Sequence, residues 1–245
     1  MIRLRTAAAV ALLGAAGCDD PGRHAAERTT EHVVALGART LVLDGTVGRI
    51  RVRESPAAGP ATVRLTARAR GATQRSAEQR LDLVEVDTAQ DDALHQIVWR
   101  TALADGLARD GRDGAGLSAD ADVILPPGAP LVVHLERGTV QLSGVTGLLE
   151  VEVENGAITA TEAAPAPGMA WALDSFSGDV TLTFADGVSA RLSAETDSGA
   201  VQLVGEVLDR APSGRAALVQ IGDAERAADV SVWTGKGNVT ATQAE

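Results

Sequence analysis

Three glutamates alternate with aliphatic residues in LEVEVEN: Glu150, Glu152 and Glu154 against Leu149, Val151 and Val153. Period-two spacing puts the carboxylates on one face of a strand and the aliphatic side chains on the other. Such a stripe can attract cations or a basic partner. It can also be a solvated face that discourages sheet-to-sheet association. Asp179, Glu195 and Asp197 could extend it from neighbouring segments. The remaining chemistry is sparse. His24, His32, His95 and His134 show no metal-ligand spacing, so no metal or cofactor is expected. Asp105, Asp110, Asp113, Asp120 and Asp122 form an acidic series, but Arg112 occupies the third position from Asp110. A calcium loop needs an acid there, so a hydrated loop is the better reading. Ser177, Ser198 and Ser213 precede glycine outside any G-x-S-x-G, and TGKG at 234–237 lacks the spacing of a phosphate loop. No catalytic residue is expected.

The elements that would position the stripe are legible as a repeat. Gly138, Gly156, Gly178, Gly199 and Gly237 each precede two inward-type residues with a polar one between. The inward pairs are Val140/Leu142, Ile158/Ala160, Val180/Leu182, Val201/Leu203 and Val239/Ala241; the residues between are Gln141, Thr159, Thr181, Gln202 and Thr240. Gly48, Ile50 and Val52 make an earlier copy. The intervals between the five glycines are 18, 22, 21 and 38 residues. A period near 20 predicts stacked coils of short strands, an all-β single-stranded β-solenoid. The double interval predicts a degenerate copy within Val219–Val232. A second alternating run precedes each phrase, at Leu131–Leu135, Leu149–Val153, Met169–Leu173 and Val188–Leu192. The glycines are then corners where a Cβ is excluded. Threonine pairs at Thr159/Thr161, Thr181/Thr183 and Thr240/Thr242 suit strands. A β-sandwich is the competing architecture, without a reason for the period.

The N-terminal part is less regular. Leu41–Val52, Thr62–Ala69, Val84–Val86 and Gln96–Trp99 read as strands. Ser76 with Gln79 predicts a capped short helix over 77–83. Ala102–Asp120 reads as an exposed loop. Of the 245 residues, 45% are hydrophobic but only 2% aromatic, so the core is aliphatic and stacking platforms for sugars or bases are not expected. The net charge of −11 repels nucleic acid.

The start of the chain is an address. Arg3 and Arg5 precede an apolar run over 6–17 that is too short to span a bilayer, and AAGC follows with Cys18, the sole cysteine. This resembles the lipobox of bacterial lipoproteins, with Ala15 where that class usually has leucine. The resemblance implies a signal peptide over 1–17, cleavage before Cys18 and lipid attachment to its sulfur. Asp19 and Asp20 resemble an inner-membrane retention signal. An ordinary signal peptide with an incidental cysteine is the alternative. Residues 18–30 read as lipidated cysteine and flexible tether, reaching about 20 Å, and 31–245 as the strand-repeat domain.

IRV near the start, VILPPGAPLVVHLERGTVQLSGVTGLLEVEVENGAITAT, SGDVTLTF and QIGD together resemble a bacterial β-strand-repeat family. Its members are named adhesins on the strength of their architecture and are otherwise a domain of unknown function. The resemblance covers most of 40–242. It implies a β-solenoid in the cell envelope, often membrane-attached, and carries no catalytic residues. The expected function is that of a non-enzymatic, lipid-anchored envelope protein that faces the periplasm. It would present a rigid surface to an envelope protein or polysaccharide, with no nucleic-acid partner. Two alternatives stand beside it: an envelope stress-sensing module, and a polysaccharide-active solenoid enzyme in which Glu152, Asp179 or Asp197 converges with an arginine.

Overall fold

The computed structural model describes residues 24–101 and 116–244. Cys18, the leader, and Asp105, Asp110 and Asp113 lie outside the described residues. Alternation of aliphatic and polar residues produces strands wherever it occurs. In order they are β1 (His24–Val34), β2 (Thr40–Glu54), β3 (Ala61–Gly71), the helix α1 (Gln74–Leu81), β4 (Val84–Gln90), β5 (Leu94–Thr101), β6 (Leu117–Leu125) and β7 (Leu131–Ser143). The repeats follow as β8 (Leu149–Asn155), β9 (Ile158–Ala163), β10 (Ala170–Ser177), β11 (Val180–Phe184), β12 (Ala190–Ser198), β13 (Val201–Leu203), β14 (Glu206–Arg210), β15 (Ala216–Ile221), β16 (Ala228–Lys236) and β17 (Val239–Gln243).

All seventeen strands join in one mixed sheet. Two parallel ladders run through it. One stacks β5, β2, β7, β8, β10, β16 and β12. The other stacks β6, β2, β7, β9, β11, β17 and β13. Strands β2 and β7 pass through both. The inward residues of the two ladders, such as Leu149, Leu173 and Val232 in the first and Ile158, Val180 and Val239 in the second, belong to one aliphatic core.

The ladders meet at a column of glycines in the order Gly48, Gly138, Gly156, Gly178, Gly237, Gly199. Their φ values run from +142° to +159°. A methyl group on each of the last five would overlap the carbonyl oxygen of the preceding glycine in that order. The repeated glycine is therefore required by backbone packed on backbone as well as by φ. Beside the column, hydroxyls replace aliphatic residues in the core. Ser175 Oγ donates to Gly156 O at 2.8 Å, Thr234 Oγ1 to Gly178 O at 2.8 Å and Thr196 Oγ1 to Gly237 O at 2.9 Å. All three side chains are buried, and each satisfies a corner carbonyl that would otherwise lack a partner there.

The order of that column departs from sequence order. The last strand pair, β16–β17, lies between β10–β11 and β12–β13. No degenerate parallel copy fills the 38-residue interval. Val219–Ile221 belongs to β15, which pairs antiparallel with β12 and with β14, whereas Val230 and Val232 belong to the last strand pair itself. Antiparallel pairs also occur at the other end, as β1–β3, β3–β6 and β4–β5. Among the described residues the fold is thus all-β with one α-helix, but the sheet is mixed and does not advance as the single-stranded, sequence-ordered stack expected.

Three local readings change. Strand β1 begins at His24, inside the span read as tether. Residues 24–30 lack an apolar period, and cross-strand partners hold them in place: Glu27 pairs with Arg68 at 3.1 Å and Thr29 Oγ1 lies 3.3 Å from Thr66 Oγ1, with Glu31 and Arg64 paired at 3.9 Å just beyond. The helix starts earlier than expected. Thr73 is the N-cap and Ser76 is N3: Thr73 Oγ1 accepts from Ser76 N at 3.1 Å and Ser76 Oγ from Thr73 N at 3.0 Å. Residues 117–120, read as loop, open β6. On the outward face of this region charge alternates strand by strand, with Glu27 and Glu31 on β1, Arg64 and Arg68 on β3, Asp120 and Asp122 on β6, and Arg49, Arg51 and Arg53 on β2.

The glycine column gives a stability test. Gly156→Ala meets the Gly138 carbonyl, which cannot rotate away, and should cost about 3 kcal/mol or more. Gly168→Ala, at φ +74° with nothing within 4 Å, should cost only about 1 kcal/mol for its left-handed backbone. Urea denaturation of the two variants measures the difference.

Candidate functional site

The outward face of the first ladder carries the predicted stripe. In β8, Leu149, Val151 and Val153 are buried while Glu150, Glu152 and Glu154 are exposed. Alternate residues of a strand stand about 6.8 Å apart, and neighbouring strands about 4.8 Å. Parallel register extends each glutamate into a row across the ladder. The row of Glu152 runs His134, Glu152, Asp174, Trp233, Glu195. The row of Glu150 runs Val132, Glu150, Ala172, Ser231, Ser193. The row of Glu154 continues through Phe176 and Gly235 to Asp197, set by the pairs on either side of them.

Glu195 and Asp197 therefore do join the acidic face, but Asp179 does not. Asp179 sits at a corner, where Oδ1 accepts from Asn238 N at 2.7 Å. Glu152 and Asp197 are on β8 and β12, with β10 and β16 between them, roughly 14 Å apart across the ladder. The three carboxylates considered for glycan cleavage are thus dispersed. Glu152 Oε2 lies 3.3 Å from His134 Nδ1. Half-buried Asp174 has its carboxyl pushed above the ordinary range, first by burial and then by the charges of Glu152 and Glu150.

Sequence reasoning passed over the aromatic residues on this face. Phe176 is 62% exposed. Its ring centroid lies 6.1 Å from that of half-buried Trp233, with the planes inclined at 56°. Gly235 makes room for the pair: a Cβ there would stand 2.6 Å from Phe176 O and 3.2 Å from Trp233 Cη2. The signal was available, because in VSVWTG the buried Val230 and Val232 give Trp233 the outward parity. Beside the pair, a cavity of about 600 Å³ is lined by Leu148, Glu150, Ala172, Ser193, Ser231 and Leu218 among others. Arg191 and Asp229, partners in register on β12 and β16, line it as well.

The outward face of the second ladder differs in character. A cavity of about 870 Å³ is lined there by residues that include Arg51, Arg53, Arg64, Asp122, Gln141 and Thr159. Arg51 and Asp122 pair at 3.1 Å. Thr159, Thr181 and Thr240 are consecutive in register, with Gln202 beyond them. Among the described residues no group of three or more histidine, cysteine or acidic side chains is placed to hold a metal ion. His95 is buried, with Nδ1 3.3 Å from Gln90 Oε1. Burial lowers its pKa, and His32 and Arg39 add to the effect; burial lowers that of His32 as well.

The chain matches no family model and no curated protein. Among solved structures, a candidate cell adhesion protein from Clostridium sporogenes ATCC 15579 superposes with a TM-score of 0.64 at 14% identity, over 89% of this chain and 100% of that one. A candidate adhesin from Bacteroides fragilis NCTC 9343 aligns over 89% of this chain and 97% of its own, at 13% identity and a TM-score of 0.29. The first likeness establishes a shared fold. Among the described residues no helix is long and apolar enough to cross a membrane.

Two pH effects follow from these environments. An acid whose folded pKa is raised costs stability once ionised. For Asp174 the penalty is absent below the ordinary value of 3.8, grows as pH rises through the folded value and is complete at neutral pH. Asp174→Asn should therefore raise the melting temperature at pH 7 and leave it unchanged at pH 3. For His32 and His95 the folded pKa is depressed, so stability is full above the ordinary value of 6.5 and declines as pH falls below it. Replacing both by glutamine should flatten melting temperature against pH over that interval.

Proposed function

We propose that this chain is a non-enzymatic protein of the bacterial envelope, anchored by lipid on Cys18, whose coils form a β-solenoid that presents a rigid acidic wall to a binding partner. The observation that carries the reading is the outward face of the first ladder, where carboxylates from β8, β10 and β12 stand in fixed register on a rigid parallel ladder. Purely parallel sheets usually bury both faces. Here one face is solvated and the other shares a core with a second ladder, which supports a coiled stack. The shared fold with a candidate cell adhesion protein supports a surface role, and the strand-repeat resemblance supports the envelope. AAGC at 15–18 supports the anchor: two or more acyl chains hold a protein stably at a membrane. Attachment facing the periplasm, with an envelope protein or polysaccharide as partner, completes the proposal.

Cell fractionation tests the anchor. Full-length protein is expected in the membrane fraction, and Cys18→Ala should move most of it to the soluble fraction. Crosslinking from intact cells, read by mass spectrometry, should recover an envelope component with the lipidated protein and lose it with Cys18→Ala. Membrane association unchanged by the substitution would overturn the anchor.

A further inference from the structure

We propose that the Phe176–Trp233 pair is a docking point for a basic segment of a partner protein, with an arginine guanidinium or lysine ammonium lying over the rings. This rests on the reading of the acidic wall as the binding face. The chain has three tryptophans and two phenylalanines. Trp99, Trp171 and Phe184 are buried in the core, whereas Phe176 is largely exposed and touches Trp233 on the exterior. A ring at 62% exposure adds little to the fold, and outward positions of the neighbouring coils hold small or charged residues. Exposed aromatic side chains clustered in contact are the usual anchors of protein interfaces.

The surroundings select a cation. Trp233 stands in register between Asp174 and Glu195, one strand to either side. Phe176 stands beside Glu154, and Asp197 lies across Gly235. Among the described residues Glu154, Asp174, Glu195 and Asp197 make no ion pair. A cation over the indole would meet the negative face of the ring and lie within about one strand spacing of carboxylates on both sides. Guanidinium suits this best, since it stacks flat on an aromatic face while its edge donates to carboxylates. The rings are inclined at 56° and so do not form the coplanar platform on which successive sugars stack. Excess negative charge also disfavours anionic glycans. The groove past Ala172, Ser231 and Ser193 leaves room for an extended chain to continue from the rings, and where it reaches Arg191 the carboxylates of Asp229 and Glu150 line it too.

The test is a binding titration of the full-length protein with a short peptide alternating arginine and serine. The same peptide with citrulline for arginine and a neutral glucan oligosaccharide serve as comparisons. The arginine peptide should bind and the citrulline peptide should not. Trp233→Ala and, separately, Phe176→Ala should each weaken binding about tenfold or more, with melting curves close to wild type. Asp174→Asn combined with Glu195→Gln should weaken it comparably, and Trp233→Phe should restore part of what Trp233→Ala loses. If the carboxylate variant alone lost binding, charge without the rings would account for it and the proposal would fail. Equal binding of the citrulline peptide, binding of neither peptide, or glucan binding lost with Trp233→Ala would also overturn it. A partner still crosslinked in cells to Trp233→Ala would sink this site and leave the envelope-binding reading standing.

Discussion

Backbone packed against backbone at the glycine column is the constraint on which the rest depends. At each corner a glycine from one strand pair lies on the carbonyl of the glycine next to it, from Gly48 through Gly237 to Gly199. No rotamer change can relieve a side chain inserted there, so the stacked strands have one spacing and one bend. That bend turns the strands from the first ladder to the second. It also fixes the inward columns of Leu, Val and Ile that form the core and, by the same registers, the outward rows. The juxtaposition of Asp174, Trp233 and Glu195 follows from where the glycines stack.

Much of this was legible. Period-two alternation located the starts of the parallel repeat strands to within a residue or two, though β10 and β12 run four and six residues past the ends read for them, and it put Glu150, Glu152 and Glu154 outward, where they are. The glycine phrase identified the corners. Coil order was not legible, because the phrases are interchangeable: Val180/Leu182, Val201/Leu203 and Val239/Ala241 all offer the same inward pattern. Strand β15 was misread for a related reason, since alternation gives no direction and an antiparallel return looks like a parallel coil. Strand β1 escaped notice because its partner on β3 holds it through charge and hydroxyl contacts. In α1, Thr73 and Ser76 are both competent caps, and their reciprocal bonds decide between them only once the backbone is in view. The aromatic pair was missed because a low aromatic total argues against stacking platforms and says nothing of where single rings stand, although strand parity places Trp233 outside.

The alternating charges at the other end of the sheet act on a different problem. Strands β1, β3, β6 and β2 present acidic, basic, acidic and basic outward rows in turn. A slip by one residue would bury these charges and expose the aliphatic row, and exchanging two neighbouring strands would place like charges side by side. Individually such exposed pairs contribute little stability. Together they specify neighbours in a region that lacks the glycine repeat.

The position of β16–β17 bears on how the protein can be made. Strands β12 and β13 find their parallel neighbours only in residues 228–243, and β10–β11 meets the same strands on its own open side. As the chain emerges from a ribosome, residues 190–221 have, among the residues made before 228, only antiparallel partners in the final fold. Two sheet edges stay open across the gap until the last strand pair slides in. Stacking in sequence order can therefore proceed through β11 but not past it, unlike in arrays whose repeats stack in order throughout. Strands β12 and β13 gain their parallel neighbours only when nearly all of the chain has been made.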